Sequence, residues 1–183
     1  GRVVPVLNII KDRSTNMYRV LITDDEKIER EGIKFLLAQE EGEYEIHEAA
    51  NGRQALNVLR SEEIDFLLTD IKMPHMDGLE LASKVREEYP NLPIVIFSGY
   101  SDFAFAQEAM RYGVKDYVLK PVDPDTFHTT IGKVKAELQS IRSKKQKEEK
   151  STKIDSQLYI IIRQQKRNEV LICRDLLMIQ IIS

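Results

Sequence analysis

Asp24, Asp25 and Asp70 are the residues of this sequence best placed for chemistry. Asp24 and Asp25 follow the apolar run 19–23, and Asp70 follows the run 64–69. Two further runs end at Ser98 and just before Lys120. If these runs are strands of one parallel sheet, all five side chains sit at carboxyl ends, where such sheets bind ligands. Should the first and third strands be neighbours, the three aspartates converge. Carboxylates so close repel one another, so either some protonate or a cation neutralises them. Oxygen donors with few protein ligands suit magnesium (or manganese). No histidine or cysteine falls at these ends, which argues against zinc. His47, His75 and His128 are scattered and fit surface or packing roles. A cation beside Asp70 would attract a phosphoryl group and shield its charge from the carboxylate, a competent covalent nucleophile. Lys120 would offer a compact positive charge to phosphate oxygens, and Ser98 a hydroxyl donor. Singly, each is an ordinary lysine or strand-end serine; together at strand ends they form a site. The protein's task is then positioning and charge stabilisation.

The elements that must place these residues alternate from 18 to about 138. Runs at 19–23, 44–49, 64–69, 93–98 and 115–119 fit strands, and strands that are apolar throughout imply burial on both faces. Between them lie helical patterns. The stretch 26–39 places Ile28, Ile33, Leu36 and Leu37 near a helical period. Asn51 can cap a helix, with Gln54 completing a capping box. Asp77 caps another, with Glu80 three residues on and Pro90 as its stop. Ser101 begins a fourth, which Gly113 closes in a left-handed cap. Asp123-Pro124 starts a fifth. The expected fold is α/β, a doubly wound five-stranded parallel sheet with five helices. A dinucleotide site is excluded, because it needs a glycine-rich turn where this chain has acids.

The sequence has 183 residues, 42% hydrophobic and 31% charged, with a net charge of −3. That balance suits a globular domain with a real core and no general affinity for nucleic acid. A single cysteine, Cys173, rules out an internal disulfide and fits a reducing, cytoplasmic setting. No stretch is long and apolar enough to span a membrane. Residues 1–16 precede Met17 and are expected to be an N-terminal extension. Residues 17–138 form the domain, 139–153 a charged linker or helix extension, and 154–183 an apolar tail. Phe127, Ile131, Val134, Leu138 and Ile141 are spaced as a heptad seam. Phe127 to Val134 suit the inner face of the fifth helix, whereas Leu138 and Ile141 are expected to extend beyond the domain.

The motifs Asp24-Asp25, 70–78, Ser98-Gly-Tyr100 and Lys120-Pro121 make 18–138 resemble a two-component response regulator receiver domain of the chemotaxis-regulator type. Residues 99–121 further resemble regulators with an AraC-type DNA-binding output. The resemblance implies a flavodoxin-like sheet of order 2-1-3-4-5. It implies Asp70 as phosphoacceptor, Asp25 as direct metal ligand, Asp24 as a ligand mostly through water, and the backbone carbonyl of Lys72 as a further ligand. Lys120, through a cis bond to Pro121, would pair with the phosphoryl group. Ser98 would move to bond it, and Tyr117 would turn inward behind Ser98. Lys72 and Tyr100 would tune phosphoryl lifetime. A phosphoryl group adds charge and acceptor oxygens, and only differential contacts shift an equilibrium. The fourth helix, fifth strand and fifth helix should therefore present a face that dimerises or docks a partner. The implied phosphate source is a sensor histidine kinase. The chemistry is self-directed phosphorylation and autodephosphorylation, not turnover of a free substrate.

Two other classes compete. Haloacid dehalogenase-like phosphatases also use a strand-end aspartate and magnesium. Their nucleophile follows the first strand with a second aspartate two positions on, where this chain has Glu26. A phosphorylation-independent interaction module would not need the full acid set with Lys120. The tail's Arg163, Lys166 and Arg167 are too few for a nucleic-acid footprint. Contact with DNA would need an output domain not evident in this chain.

Overall fold

A computed structural model describes residues 17–99 and 103–147. The expectations for 1–16, Tyr100, the helix start at Ser101, 148–153 and 154–183 lie outside the described residues. The chain divides into two compact units, Gly1–Leu138 and Gln139–Ser183.

The first unit alternates strand and helix: β1 (Met17–Thr23), α1 (Lys27–Leu37), β2 (Glu43–Ala49), α2 (Gly52–Ser61), β3 (Phe66–Thr69), α3 (Gly78–Glu88), β4 (Ile94–Ser98), α4 (Phe103–Arg111) and β5 (Asp116–Leu119). A fifth helix, α5, begins at 124 and is helical throughout 124–138. In the second unit, residues 139–147 are helical. All strand pairs are parallel, in the order β2-β1-β3-β4-β5. This is the doubly wound sheet expected from the alternation, in the flavodoxin-like order that the resemblance implies.

The central strands β1, β3 and β4 are apolar on both faces because both faces are covered. Successive side chains point to opposite faces of a sheet. Leu21, Leu67, Ile94 and Ile96 join one core with α2, α3 and Ala109 of α4. Val20, Ile22, Phe66, Leu68, Val95 and Phe97 join the other with Ile33 and Leu37 of α1 and with Phe127, Ile131, Val134 and Leu138 of α5. The first four apolar residues of the seam are thus all core. Leu138, expected to extend past the domain, is 6% exposed. Ile28 departs from expectation too. It is 74% exposed. At 3.6 residues per turn it lies roughly 140° around the helix from Ile33, so it shares the outer face with Phe35 instead.

Local chemistry sets the ends. Asp77 Oδ1 accepts from the Glu80 N–H at 2.8 Å, and Asp123 Oδ1 accepts from the Thr126 N–H at 2.9 Å. Asn51 Oδ1 accepts from the Gln54 N–H at 3.0 Å. The Gln54 side chain returns to the Ala50 N–H at 3.0 Å, one residue before the cap. β3 starts at Phe66, two residues later than its apolar run. There the Asp65 carboxylate takes the Arg19 N–H at 2.8 Å, replacing a ladder carbonyl with a side chain. Gly113 adopts φ +66, the left-handed cap expected at the end of α4. The Lys120–Pro121 peptide is cis.

One glycine matters to the site. A Cβ on Gly78 would lie 2.0 Å from the carbonyl oxygen of Asp70. The Gly78 N–H also donates to the Ile71 carbonyl at 2.7 Å. The loop after β3 can therefore close over α3 only with no side chain at 78. Gly78→Ala is expected to destabilise the fold by about 3 kcal/mol, the upper end of overpacking costs. Urea unfolding of the variant measures this. A midpoint equal to that of the parent would show that the loop has room to give.

Candidate functional site: an aspartate pair bridged by one lysine

Asp24 and Asp70 are carried to one place by the β1–β3 pairing. Thr23 aligns with Thr69, and the Asp70 N–H donates to the Thr23 carbonyl at 2.8 Å. The Asp24 N–H donates to Ala49 at the end of β2, at 3.1 Å. Lys120 comes from the end of β5, where its N–H donates to the Ser98 carbonyl at 2.8 Å. From there its ammonium reaches across the sheet end. It donates to Asp24 Oδ2 at 2.7 Å and lies 3.3 Å from Asp70 Oδ1. Glu29 of α1 is 3.5 Å away on the outer side.

The two carboxylates are held differently. Asp24 is 2% exposed, and its Oδ1 accepts from the Glu26 N–H at 2.9 Å. That contact does the capping at the start of α1, where Glu26 makes no side-chain cap bond. Asp70 is 9% exposed, and its Oδ2 accepts from the Lys72 N–H at 2.9 Å. Burial pushes the Asp70 carboxyl above its usual range, and the charge of Asp24 adds to this. The Lys120 charge and contact and the Lys72 N–H only partly offset it. Burial alone would lower the Lys120 ammonium. The hydrogen bond to Asp24 and the charges of Asp70, Asp24 and Glu29 outweigh it and raise its pKa.

Asp25 is exposed and stands apart from the Lys120 bridge. It lines an open depression with Ile71, Lys72, Met73, Pro74, Asp77 and Phe105. The Lys72 ammonium sits 5.8 Å above the Phe105 ring of α4. Ser98 is fully buried at the end of β4. Tyr117 is half-buried on β5 and packs against the α2–α3 core. Of the expected site, Asp24, Asp70 and Lys120 are in direct contact, and Ser98 adjoins them through the Lys120 backbone. Among the described residues no group of three or more acids, histidines or cysteines is gathered as a ready ligand cage. The donor set is nonetheless all oxygen, and one ammonium balances only one of two adjoining buried carboxylates. That chemistry fits a hard divalent cation.

Sequence reasoning missed Arg30 and Phe105. Arg30 donates to the Asp24 carbonyl at 2.7 Å. Its only sequence signal is a cation early in a helix, where the dipole favours acids. Phe105 carries no signal beyond its place after Tyr100.

Residues 20–132 match the family model described as the response regulator receiver domain. The chain belongs to the response regulator receiver family. Its receiver is 38% identical over 132 residues to an uncharacterized transcriptional regulatory protein, YesN, of Bacillus subtilis, covering 70% of this chain and 36% of that protein. The transcriptional regulatory protein HptR of Staphylococcus aureus is 33% identical over 121 residues, covering 64% of this chain and 46% of HptR. The chain thus spans between about a third and a half of the length of these relatives. Among solved structures, the REC domain of AraT, a response regulator of Geobacillus stearothermophilus, superimposes with a TM-score of 0.62 at 40% identity, covering 68% of this chain and 98% of that one. The response regulator TrrA of Thermotoga maritima, in complex with Mg(2+)-BeF, gives a TM-score of 0.58 at 32% identity, covering 64% and 99%.

The raised Asp70 pKa carries a stability consequence for the receiver. The folded state binds the Asp70 proton more tightly than the unfolded chain does. Ionised Asp70 therefore costs stability in full above its folded pKa, and the cost vanishes below its unfolded pKa. Without divalent cations, Asp70→Asn is expected to raise the thermal midpoint at neutral pH. The gain should fade as pH falls through the Asp70 range. A neutral-pH midpoint no higher than that of the parent would contradict this balance of burial and charge.

Proposed function

We propose that this receiver accepts a phosphoryl group on Asp70 from the phosphohistidine of a sensor kinase and passes on the change as a switch. The observation that carries this is the Lys120 ammonium held between Asp24 and Asp70, 2.7 Å from one and 3.3 Å from the other. In this role an Asp70 oxygen attacks phosphorus, the P–N bond to the donor imidazole breaks, and an acyl phosphate forms. The leaving imidazole takes a proton from solvent. Lys120 stands where it can turn from Asp70 to the arriving phosphoryl oxygens. Ser98, at the neighbouring strand end, is the hydroxyl donor to them. Asp25, with the Lys72 backbone carbonyl, Asp70 and, through water, Asp24, would hold magnesium or manganese. The ion would neutralise charge gathering on the phosphoryl oxygens. The complex of TrrA with Mg(2+)-BeF supports this ligand chemistry. Lys72 and Tyr100 are the positions proposed to set phosphoryl lifetime. The chemistry is self-directed, so the chain is a switch and not an enzyme with a free substrate.

The switch would run through Ser98 and Tyr117 to the face made by α4, β5 and α5. Phe103 and Met110 of α4 and Leu119 of β5 are 76%, 56% and 48% exposed. Large apolar groups left in water favour a partner surface, here a second copy or an output. Relatives named as transcriptional regulatory proteins, of which this chain spans a third to a half, support a regulator of transcription; on this reading it acts in the cytoplasm and would reach DNA only through an output domain.

Incubation with magnesium and a small phosphodonor should add the mass of one phosphoryl group, while Asp70→Asn stays unlabelled. No added mass on the parent, or equal labelling of the variant, would sink the assignment. Light scattering on the same samples tests the face. Labelled parent should gain mass by self-association or, failing that, alter hydrogen exchange across α4, β5 and α5. No change in either would remove the switch.

A further inference from the structure

We propose that Arg30 is a positioning residue for the metal-binding acid Asp25, acting through the backbone of Asp24; this rests on the proposed magnesium site. Arg30 lies on α1, six residues after Asp24. Its Nη1 donates to the Asp24 carbonyl at 2.7 Å. Its Nε donates to Glu48 Oε2 on β2 at 2.9 Å. The other oxygen of Glu48 takes Lys34 Nζ at 2.7 Å, and Lys34 also meets Glu31 at 2.6 Å. Hydrogen bonds from Lys34 and Arg30 hold the Glu48 carboxyl below its usual range, so this partner stays charged.

The carbonyl that Arg30 grips belongs to the peptide joining Asp24 to Asp25. A peptide unit is planar, so its oxygen and the next Cα move as one rigid plate. Fixing that oxygen fixes where Asp25 starts. The rest of Asp24 is fixed as well: its N–H by Ala49, its Oδ1 by the Glu26 N–H and its Oδ2 by Lys120. Among the described residues Asp25 shows no comparable tether of its own, and it stands exposed at the rim of the depression. Its aim is therefore inherited from Asp24, and among the described residues Arg30 supplies the part of that grip that comes from a side chain outside the acid set and Lys120. A guanidinium suits the task because its planar fork serves a carbonyl and a carboxylate at once. The helix dipole does not explain an arginine here, since it disfavours cations near a helix start.

Charge and positioning make opposite forecasts. Removing a cation beside acidic ligands should, by charge alone, tighten magnesium binding. Loss of positioning should weaken it, since partners that orient ligands are worth about 10- to 100-fold in metal affinity. Magnesium titrations followed by amide shifts in nuclear magnetic resonance, with urea unfolding of the same proteins, separate the two. Arg30→Met is expected to bind magnesium about tenfold more weakly, at the low end of that range. Arg30→Lys should recover part of the loss, because an ammonium can reach the carbonyl but lacks the fork. Equal or tighter binding by Arg30→Met overturns the inference and leaves the magnesium site standing. If Arg30→Met does not fold, Arg30→Lys decides: weaker binding than the parent supports positioning, and parent-like or tighter binding overturns it. If the parent shows no magnesium-dependent shifts, the metal reading fails and the inference with it.

Discussion

Two buried carboxylates next to each other are unstable company in a protein interior, and the end of this sheet is organised around that difficulty. One ammonium, Lys120, sits between Asp24 and Asp70 and offsets part of their repulsion. The topology sets up this arrangement. The order β2-β1-β3-β4-β5 puts the ends of β1 and β3 side by side, which brings the aspartates together. It also puts β5 two strands from β3, beyond the reach of a short side chain. A lysine bridges the distance because its long apolar stem can lie along the sheet end while its charge reaches the acids. The same location for a serine or threonine would leave the carboxylates unbalanced.

The balance is incomplete, and its incompleteness has chemical meaning. A carboxyl whose pKa is raised by burial and a neighbouring charge sits in a field too negative for it. Perturbed groups of this kind cluster at functional sites, although structural networks produce them too. Here the geometry separates the two cases. Both oxygens of Asp24 have close hydrogen-bond donors, at 2.7 and 2.9 Å. Asp70 has one such donor, and its other oxygen sees Lys120 only at 3.3 Å. Asp24 is thus a fixed part of the frame, while Asp70 keeps an oxygen less committed.

Much of this was legible in the sequence, for physical reasons that can be named. The central strands β1, β3 and β4 are buried on both faces and so showed as apolar runs, while the edge strands β2 and β5 showed more weakly, with polar residues among the apolar ones. Helix starts that need a side-chain acceptor showed as Asn51, Asp77 and Asp123. Acids and a lysine directly after apolar runs gave the site. What stayed hidden depends on angle or on distant partners. Ile28 looked like an inner-face residue because it is close in sequence to Ile33, yet five residues turn a helix well away from its starting face. The first two residues of the 64–69 run stand outside β3, where the Asp65 carboxylate accepts the Arg19 N–H from forty-six residues earlier. Leu138 belongs to the core because α5 stays against the sheet for longer than the seam alone could say. Arg30 was hidden because its role depends on a carbonyl, and carbonyls have no letter in a sequence.

The two halves of the site also differ in what could change them. On the side of β1 and β2, Asp24 is tied to Ala49, Glu26, Arg30 and Lys120, so displacing it would break several hydrogen bonds at once. On the other side, Lys72 rests on the face of Phe105, a contact between a cation and a ring worth only about 0.5–1 kcal/mol at an exposed site. Charge added near Asp70 would compete for Lys72 and Lys120 alike. The proposed response toward α4 fits this arrangement: α4 carries Phe105 and leaves Phe103 and Met110 in water. A site that must be both accurate and responsive can be built this way, with the acids fixed on one side and the lysines freer to exchange partners on the other.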